Sequence, residues 1–186
     1  MISLSCSANA QFIGINVDYG IGYSAAPGKV DGYSVGISHP APFIPNIGYS
    51  SISFIDKESI TNPSDNSSVS LETTTTIKTI NLFYNIPFPV VTITVGFGYG
   101  ADNLYTGVET ITTIDKVTSN LETSVSEAFF HIGLPFWNTI EFHLGYHFMS
   151  FSSIDITKSD KFQGKYPTVK KSYSGGMTTI GVQVAF

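Results

Sequence analysis

Apolar and polar residues alternate with a period of two along most of this chain, the spacing of strands with one apolar face. From Ile13 the odd positions are Ile13, Ile15, Val17, Tyr19, Ile21 and Tyr23, and the even ones are Gly14, Asn16, Asp18, Gly20, Gly22 and Ser24. Val91, Ile93, Val95, Phe97 and Tyr99 face away from Thr92, Thr94, Gly96, Gly98 and Gly100. Ile140, Phe142, Leu144, Tyr146 and Phe148 oppose Glu141, His143, Gly145 and His147. The last run sets Ile180, Val182, Val184 and Phe186 against Thr179, Gly181, Gln183 and Ala185. Each run has the roughly ten residues that a tilted strand needs to cross a bilayer.

Four further strands are expected. Tyr33–Ser38 is short, Thr76–Ile86 groups Ile80, Leu82, Tyr84 and Ile86, and Val125–Leu134 groups Ala128, Phe130, Ile132 and Leu134. Ile47–Ile55 lacks a consistent apolar face, and a bulge near Ser50 and Ser51 is expected to re-aim its side chains. The predicted fold is all-β, an eight-stranded antiparallel up-and-down transmembrane barrel forming a single domain over residues 11–186.

The connections alternate in kind. Residues 40–45, 86–89 and 134–138 are short and carry proline and phenylalanine; residues 25–31, 56–75, 101–124 and 152–171 are mostly long and polar. Only Asp18, Lys78, Glu127 and Glu141 place charge within predicted strands. Short turns at one end and long loops at the other are the build of outer-membrane barrels, with the turns periplasmic. An even strand number then puts both termini in the periplasm and the long loops outside the cell.

Composition decides which face meets lipid. A soluble lipocalin-like carrier of a hydrophobic ligand would turn the apolar face inward. Its polar face would then be a solvated surface, about a quarter or more charged, yet here it is mainly Gly, Ser, Thr and Asn and the whole chain is 12% charged. Aromatics also gather at both ends of the apolar face. Tyr23, Tyr33, Tyr99 and Phe148 are expected at the long-loop rim, and Tyr84, Phe88, Phe136, Trp137 and Phe186 at the short-turn rim. Two such girdles mark a membrane barrel. No apolar run approaches the ~18 residues of a transmembrane helix. A net charge of −5 with no arginine speaks against nucleic acid.

Ile180, Val182, Val184 and the terminal Phe186 resemble the C-terminal assembly signal of outer-membrane barrels. From Gln11 to Phe186 the chain resembles, in pattern and length, the small eight-stranded family typified by the OmpA barrel and OmpX. The resemblance implies insertion by the outer-membrane assembly machinery acting on Phe186. Residues 1–10 end in Ala8, Asn9 and Ala10, an A-x-A-like cleavage pattern, and read as the remnant of a signal peptide. Cleavage there would remove Cys6, the only cysteine, and with it any disulfide. Lys78 shares parity with Ile80 and Leu82, so it is expected at the lipid face near the long-loop end. There it can snorkel toward anionic lipopolysaccharide.

The membrane orientation turns Asn16, Asp18, Asn81, Glu127, His131, Glu141, His143, His147 and Gln183 into the lumen. An eight-stranded barrel is only wide enough to be filled by its own side chains, so these groups are expected to satisfy one another. Pairing across the hairpin at 135–138 could set His131 opposite Glu141 or His143, with Glu127 near His147. His143 and His147, four apart on a strand, lie ~13 Å apart and cannot share an ion unaided. Only a cross-strand set with His131 and a glutamate could close a metal site, and none is assigned. Ser150 has parity opposite to His147, which suits no nucleophile–base pair. Neither a cofactor nor catalysis is expected. The chain reads as a monomeric barrel that presents outer loops for surface structure, adhesion or an extracellular ligand. Lys158, Lys161, Lys165, Lys170 and Lys171 make the last loop locally basic. The alternative is a narrow pore for ions or small solutes.

Overall fold

The computed structural model describes residues 13–25, 30–41, 43–100, 107–112, 116–119, 124–137, 139–155 and 170–186. It contains β1 (Gly14–Tyr23), β2 (Val30–Ser38), β3 (Asn46–Thr61), β4 (Ser68–Pro87), β5 (Thr92–Gly100), β6 (Gly107–Thr112), β7 (Lys116–Ser119), β8 (Val125–Trp137), β9 (Ile140–Phe151), β10 (Ile154–Asp155), β11 (Lys170–Lys171) and β12 (Gly175–Ala185). Eight of these close a ring in the order β1, β2, β3, β4, β5, β8, β9, β12, with β12 pairing back onto β1. Every pairing is antiparallel between consecutive strands of the ring. This is an eight-stranded up-and-down barrel. Closure removes the two sheet edges that an open sheet of this length would expose. At the seam the Phe186 amide donates to the Ile13 carbonyl at 2.8 Å.

The apolar face points outward. Ile15, Val17, Tyr19, Val35, Ile37, Ile47, Leu82, Phe97, Ile132, Leu144 and Ile180 are all exposed, and each of the eight strands contributes to this belt. A patch of this extent far exceeds the few hundred Å² usual on a soluble monomer. The orientation is opposite to that of a ligand carrier with an apolar interior. Tyr33, Tyr99 and Phe148 stand exposed toward one rim, and Tyr84, Phe88, Phe136, Trp137 and Phe186 toward the other.

Tyr23 departs from its expected place. Its register with β12 shifts between Gly20 and Gly22, so the alternation that exposes Ile21 buries Tyr23 at 5%. The ring enters the lumen, 5.1 Å from Phe54, instead of joining the girdle. In β3 the expected bulge at Ser50 and Ser51 is absent, because its ladders to β2 and β4 run without a register shift. The missing apolar face has another cause. Ile47 faces out, whereas Ile52 and Phe54, at opposite parity, are buried inside at 1% each. They meet Tyr23, Ile60, Ile77, Val125, Met149, Phe151, Tyr173 and Met177 in an apolar plug at the long-loop end of the lumen. Full burial stabilises each large side chain of such a plug by about 1.5–3 kcal/mol.

The long connections carry more structure than their polarity predicts. The expected loop 56–75 is mostly strand, with β3 running to Thr61 and β4 starting at Ser68 in one continuous ladder. Its turn is only 62–67, closed by the Asn62 amide on the Ser67 carbonyl at 2.8 Å. Asn66 there takes φ 57°, a left-handed conformation that Asn tolerates better than most residues. Within 101–124, β6 pairs with Leu71–Thr76 of β4, and β7 pairs with β6. Together they form an outer sheet that extends the barrel wall. Within 152–171, β10 and β11 pair with each other. The short turns are tighter than expected, since β4 includes Pro87 and β8 runs through Pro135 to Trp137, with a register shift between those two residues. Residues 1–10, Lys158, Lys161 and Lys165 lie outside the described residues.

Candidate functional site

Below the apolar plug the lumen is polar, and alternation puts one such residue inside on nearly every second position. Asn16, Asp18, Asn81, Glu127, His131, His143, His147 and Gln183 are buried there, with Glu141 half-buried. Inward glycines make the room. A Cβ at Gly181 would lie 2.1 Å from Asp18 Oδ1, one at Gly133 2.1 Å from Glu141 Oε1, and one at Gly145 2.4 Å from His131 Cδ2. The register shows the pattern as rows. Asp18 pairs with Gly181, Gly181 with His143, and His143 with Gly133, so large and small residues alternate across β1, β12, β9 and β8.

Several separate sets of hydrogen bonds join most of the inward groups. His147 Nδ1 lies 2.5 Å from Glu127 Oε1, and the Thr79 hydroxyl donates to the other oxygen of Glu127. His147 Nε2 is 2.9 Å from His131 Nε2, and Phe129 stacks on His147 at 4.9 Å and 13°. His143 Nε2 is 2.8 Å from Glu141 Oε1, whose second oxygen accepts from Thr92 at 2.5 Å. Ser34 donates to Asp18 Oδ2 at 3.2 Å, and Asn81 Nδ2 to the Ser50 hydroxyl at 2.6 Å. Toward the short turns, Asn85 bridges Thr94 and Gln183. Among these, the bonds to carboxylates are of the charge-assisted kind, about twice as strong as neutral ones.

Glu127 and His147 come together in this arrangement. The strand partner of His131 is Gly145, not Glu141 or His143; His143 sits opposite Gly133. The rings of His131 and His143 nonetheless approach to 5.8 Å, and Gly145 leaves open the space beside His131 that a Cβ would fill. His147 is buried in the lumen while Ser150 is exposed on the other face of β9. Ile180 and Phe186 project outward, with Val182 and Val184 between them on the same face and partly covered. Lys78 lies at the Ser51 register, partly covered, beyond the outward Ile80.

Sequence reasoning missed Tyr23, Phe83 and Phe129 as lumen residues. Phe83 and Phe129 are inward at 2% and 7% exposure, and they occupy the space that Gly36, Gly48 and Gly96 leave free. The signal was present. A row of inward glycines must be filled from a neighbouring strand, and these are the only phenylalanines at inward parity on β4 and β8.

No family model matches the chain, and no curated protein matches it. Among solved structures it is similar to Neisserial surface protein A, with a TM-score of 0.53 at 13% identity over 94% of this chain and 96% of that one. The outer membrane protease OmpT of Escherichia coli aligns with a TM-score of 0.48 at 9% identity, over 94% of this chain and 79% of that one. Ail of Yersinia pestis, in complex with the heparin analogue sucrose octasulfate, aligns with 0.41 at 9% identity, over 94% and 96%. The first likeness, the closed ring and the outward apolar belt together define the class: this chain has the fold of the small eight-stranded outer-membrane barrels.

Proposed function

We propose that the chain is an integral protein of the bacterial outer membrane, a non-catalytic monomer that presents its outer sheet and loops to the exterior. One observation carries this reading: the lumen is filled, while β3, β4, β6 and β7 build ordered sheet past the end of the apolar belt. A rigid wall that holds a sheet clear of the lipid suits surface structure, adhesion or capture of an extracellular ligand. The long-loop end faces outward and both termini the periplasm. Outer-membrane lipid covers the belt, and lipopolysaccharide is the anionic partner within reach of Lys78. The assembly machinery takes hold of the strand ending in Phe186.

The competing reading, a narrow pore, needs a continuous aqueous path. Ile52, Phe54, Ile77 and Met177, each at most 1% exposed, lie across that path, and a single-channel recording is expected to show no current. The topology is tested by inserting an epitope between Asp65 and Asn66 in the 62–67 turn. Antibody should bind intact cells. Binding only after the outer membrane is permeabilised would contradict the orientation.

A further inference from the structure

We infer that the lumen holds a divalent metal ion of the zinc class between Asp18, His131 and His143. One donor atom from each of these residues lies within 4.8 Å of the other two. His131 Nδ1 is 3.8 Å and His143 Nδ1 3.6 Å from Asp18 Oδ1. The three side chains are at most 1% exposed, and these same three atoms have no hydrogen-bond partner. Buried polar atoms without partners are rare in native proteins, and three that converge call for a cause.

The hydrogen bonds around the cluster set the tautomers. Glu127 accepts, so His147 donates from Nδ1 and a neutral His147 accepts at Nε2. His131 then donates from Nε2, which leaves a lone pair on its Nδ1. Where His143 is neutral, donation from its Nε2 to Glu141 leaves a lone pair on Nδ1. In those tautomers both nitrogens stand within 4 Å of Asp18 Oδ1, so three acceptors lie together with no donor among them. Separations of 3.6 and 3.8 Å exceed a hydrogen bond. A bridging water has two hydrogens for the three atoms. A cation satisfies all three.

Two imidazoles and a carboxylate are donors of the zinc type. Tetrahedral zinc at ~2.0–2.2 Å from each sets its ligands roughly 3.3–3.6 Å apart, close to the 3.6 and 3.8 Å that each histidine stands from Asp18. The two histidine nitrogens, within 4.8 Å of each other, can close as the ion binds. The surroundings follow the pattern of a metal centre, in which the ligating histidine donates its other N–H to a carboxylate or a further acceptor. His143 does so to Glu141, and His131 through His147 to Glu127. Gly181 and Gly145 leave the space that the ion needs, since a Cβ at either would press on Asp18 or His131. Asp18 lies on β1 and the histidines on β8 and β9, so the ion ties the first strand to the last part of the chain across β12. Binding is thereby coupled to closure of the barrel.

The test is refolding of the full chain in micelles with zinc or with chelator, followed by gel filtration, metal analysis and urea unfolding. Folded protein, recognised by its heat-sensitive gel mobility, should carry one zinc per chain and unfold at higher urea than the chelator-treated form. Cobalt in place of zinc should give visible d–d bands. Asp18→Ala and His143→Ala should lose the metal, and Glu141→Gln should weaken binding about 10- to 100-fold. Folded wild-type chain that retains neither zinc nor cobalt would overturn the inference. Undiminished metal in folded Asp18→Ala would do so equally, because the ion would then sit elsewhere.

Discussion

A lysine placed at the middle of the outward face separates a lipid-embedded surface from a merely apolar one. Val17 lies in a row that runs Val35, Val17, Val182, Phe142 and Leu134 around the ring, at the centre of the apolar stretch of β1. Val17 is 50% exposed. Ile13 is just as exposed, at 52%, but sits at the short-turn end beside Phe186. A lysine on the lipid face costs about 2–4 kcal/mol at the midplane and about 0–1 kcal/mol near an interface. Val17→Lys should therefore shift the folding equilibrium in vesicles by roughly 30- to 1,000-fold, at tenfold per ~1.4 kcal/mol. With a urea slope of about 2 kcal/mol per M, the middle of the usual range, its midpoint should fall by roughly 1–2 M, while Ile13→Lys should stay near wild type. Unfolding can be followed by fluorescence of Trp137, the only tryptophan. On a water-facing strand either lysine would change stability by within about 0.5 kcal/mol. Equal midpoints for the two variants would refute the lipid-facing assignment.

Three further outcomes follow from the lumen and the outer sheet. Glu127→Ala leaves His147 and Thr79 without their buried acceptor; it should cost about 3–5 kcal/mol in urea unfolding, with Glu127→Gln recovering part. A midpoint equal to wild type would contradict the hydrogen-bonded chain. Gly96→Ala puts a Cβ 2.2 Å from Phe129 Cζ, and the stacking on His147 stops that ring from yielding, so a loss of about 1–3 kcal/mol is expected. Adding Phe129→Leu should restore part of it. In the outer turn, Asn66→Val forces a β-branched residue into φ 57°, at about 1–2 kcal/mol. Limited proteolysis should cut this hairpin faster than wild type, whereas Asn66→Gly should not differ.

Much of the wall was legible because lipid imposes one rule on every crossing strand, apolar outward and small or polar inward. Where the rule operates, as in Ile13–Ile21 or Ile140–Phe148, parity alone places the side chains. It fails wherever a second environment intervenes. Residues 56–75 carry Asp, Lys, Glu, Ser and Thr with few apolar side chains, so they read as loop although their backbone ladder continues. Inside the long-loop end the lumen becomes apolar. Ile52 and Phe54 therefore put large apolar side chains at the inward parity of β3, and the register shift before Tyr23 inverts the parity in β1. Parity also put Asp18, His131 and His143 in the lumen but could not bring them together. Asp18 joins histidines more than a hundred positions away only because the ring closes through β12, and Gly181 and Gly145 leave room beside Asp18 and His131. That placement depends on register, which turn lengths and bulges set jointly and no single strand encodes.

Refolding tests most directly whether lipid solvates the outward face. The urea-unfolded chain should be diluted into buffer with and without detergent micelles, and boiled and unboiled samples compared by gel mobility in SDS. A mobility shift that appears only with micelles is the predicted result. A stable, monomeric, folded chain in plain buffer would contradict it.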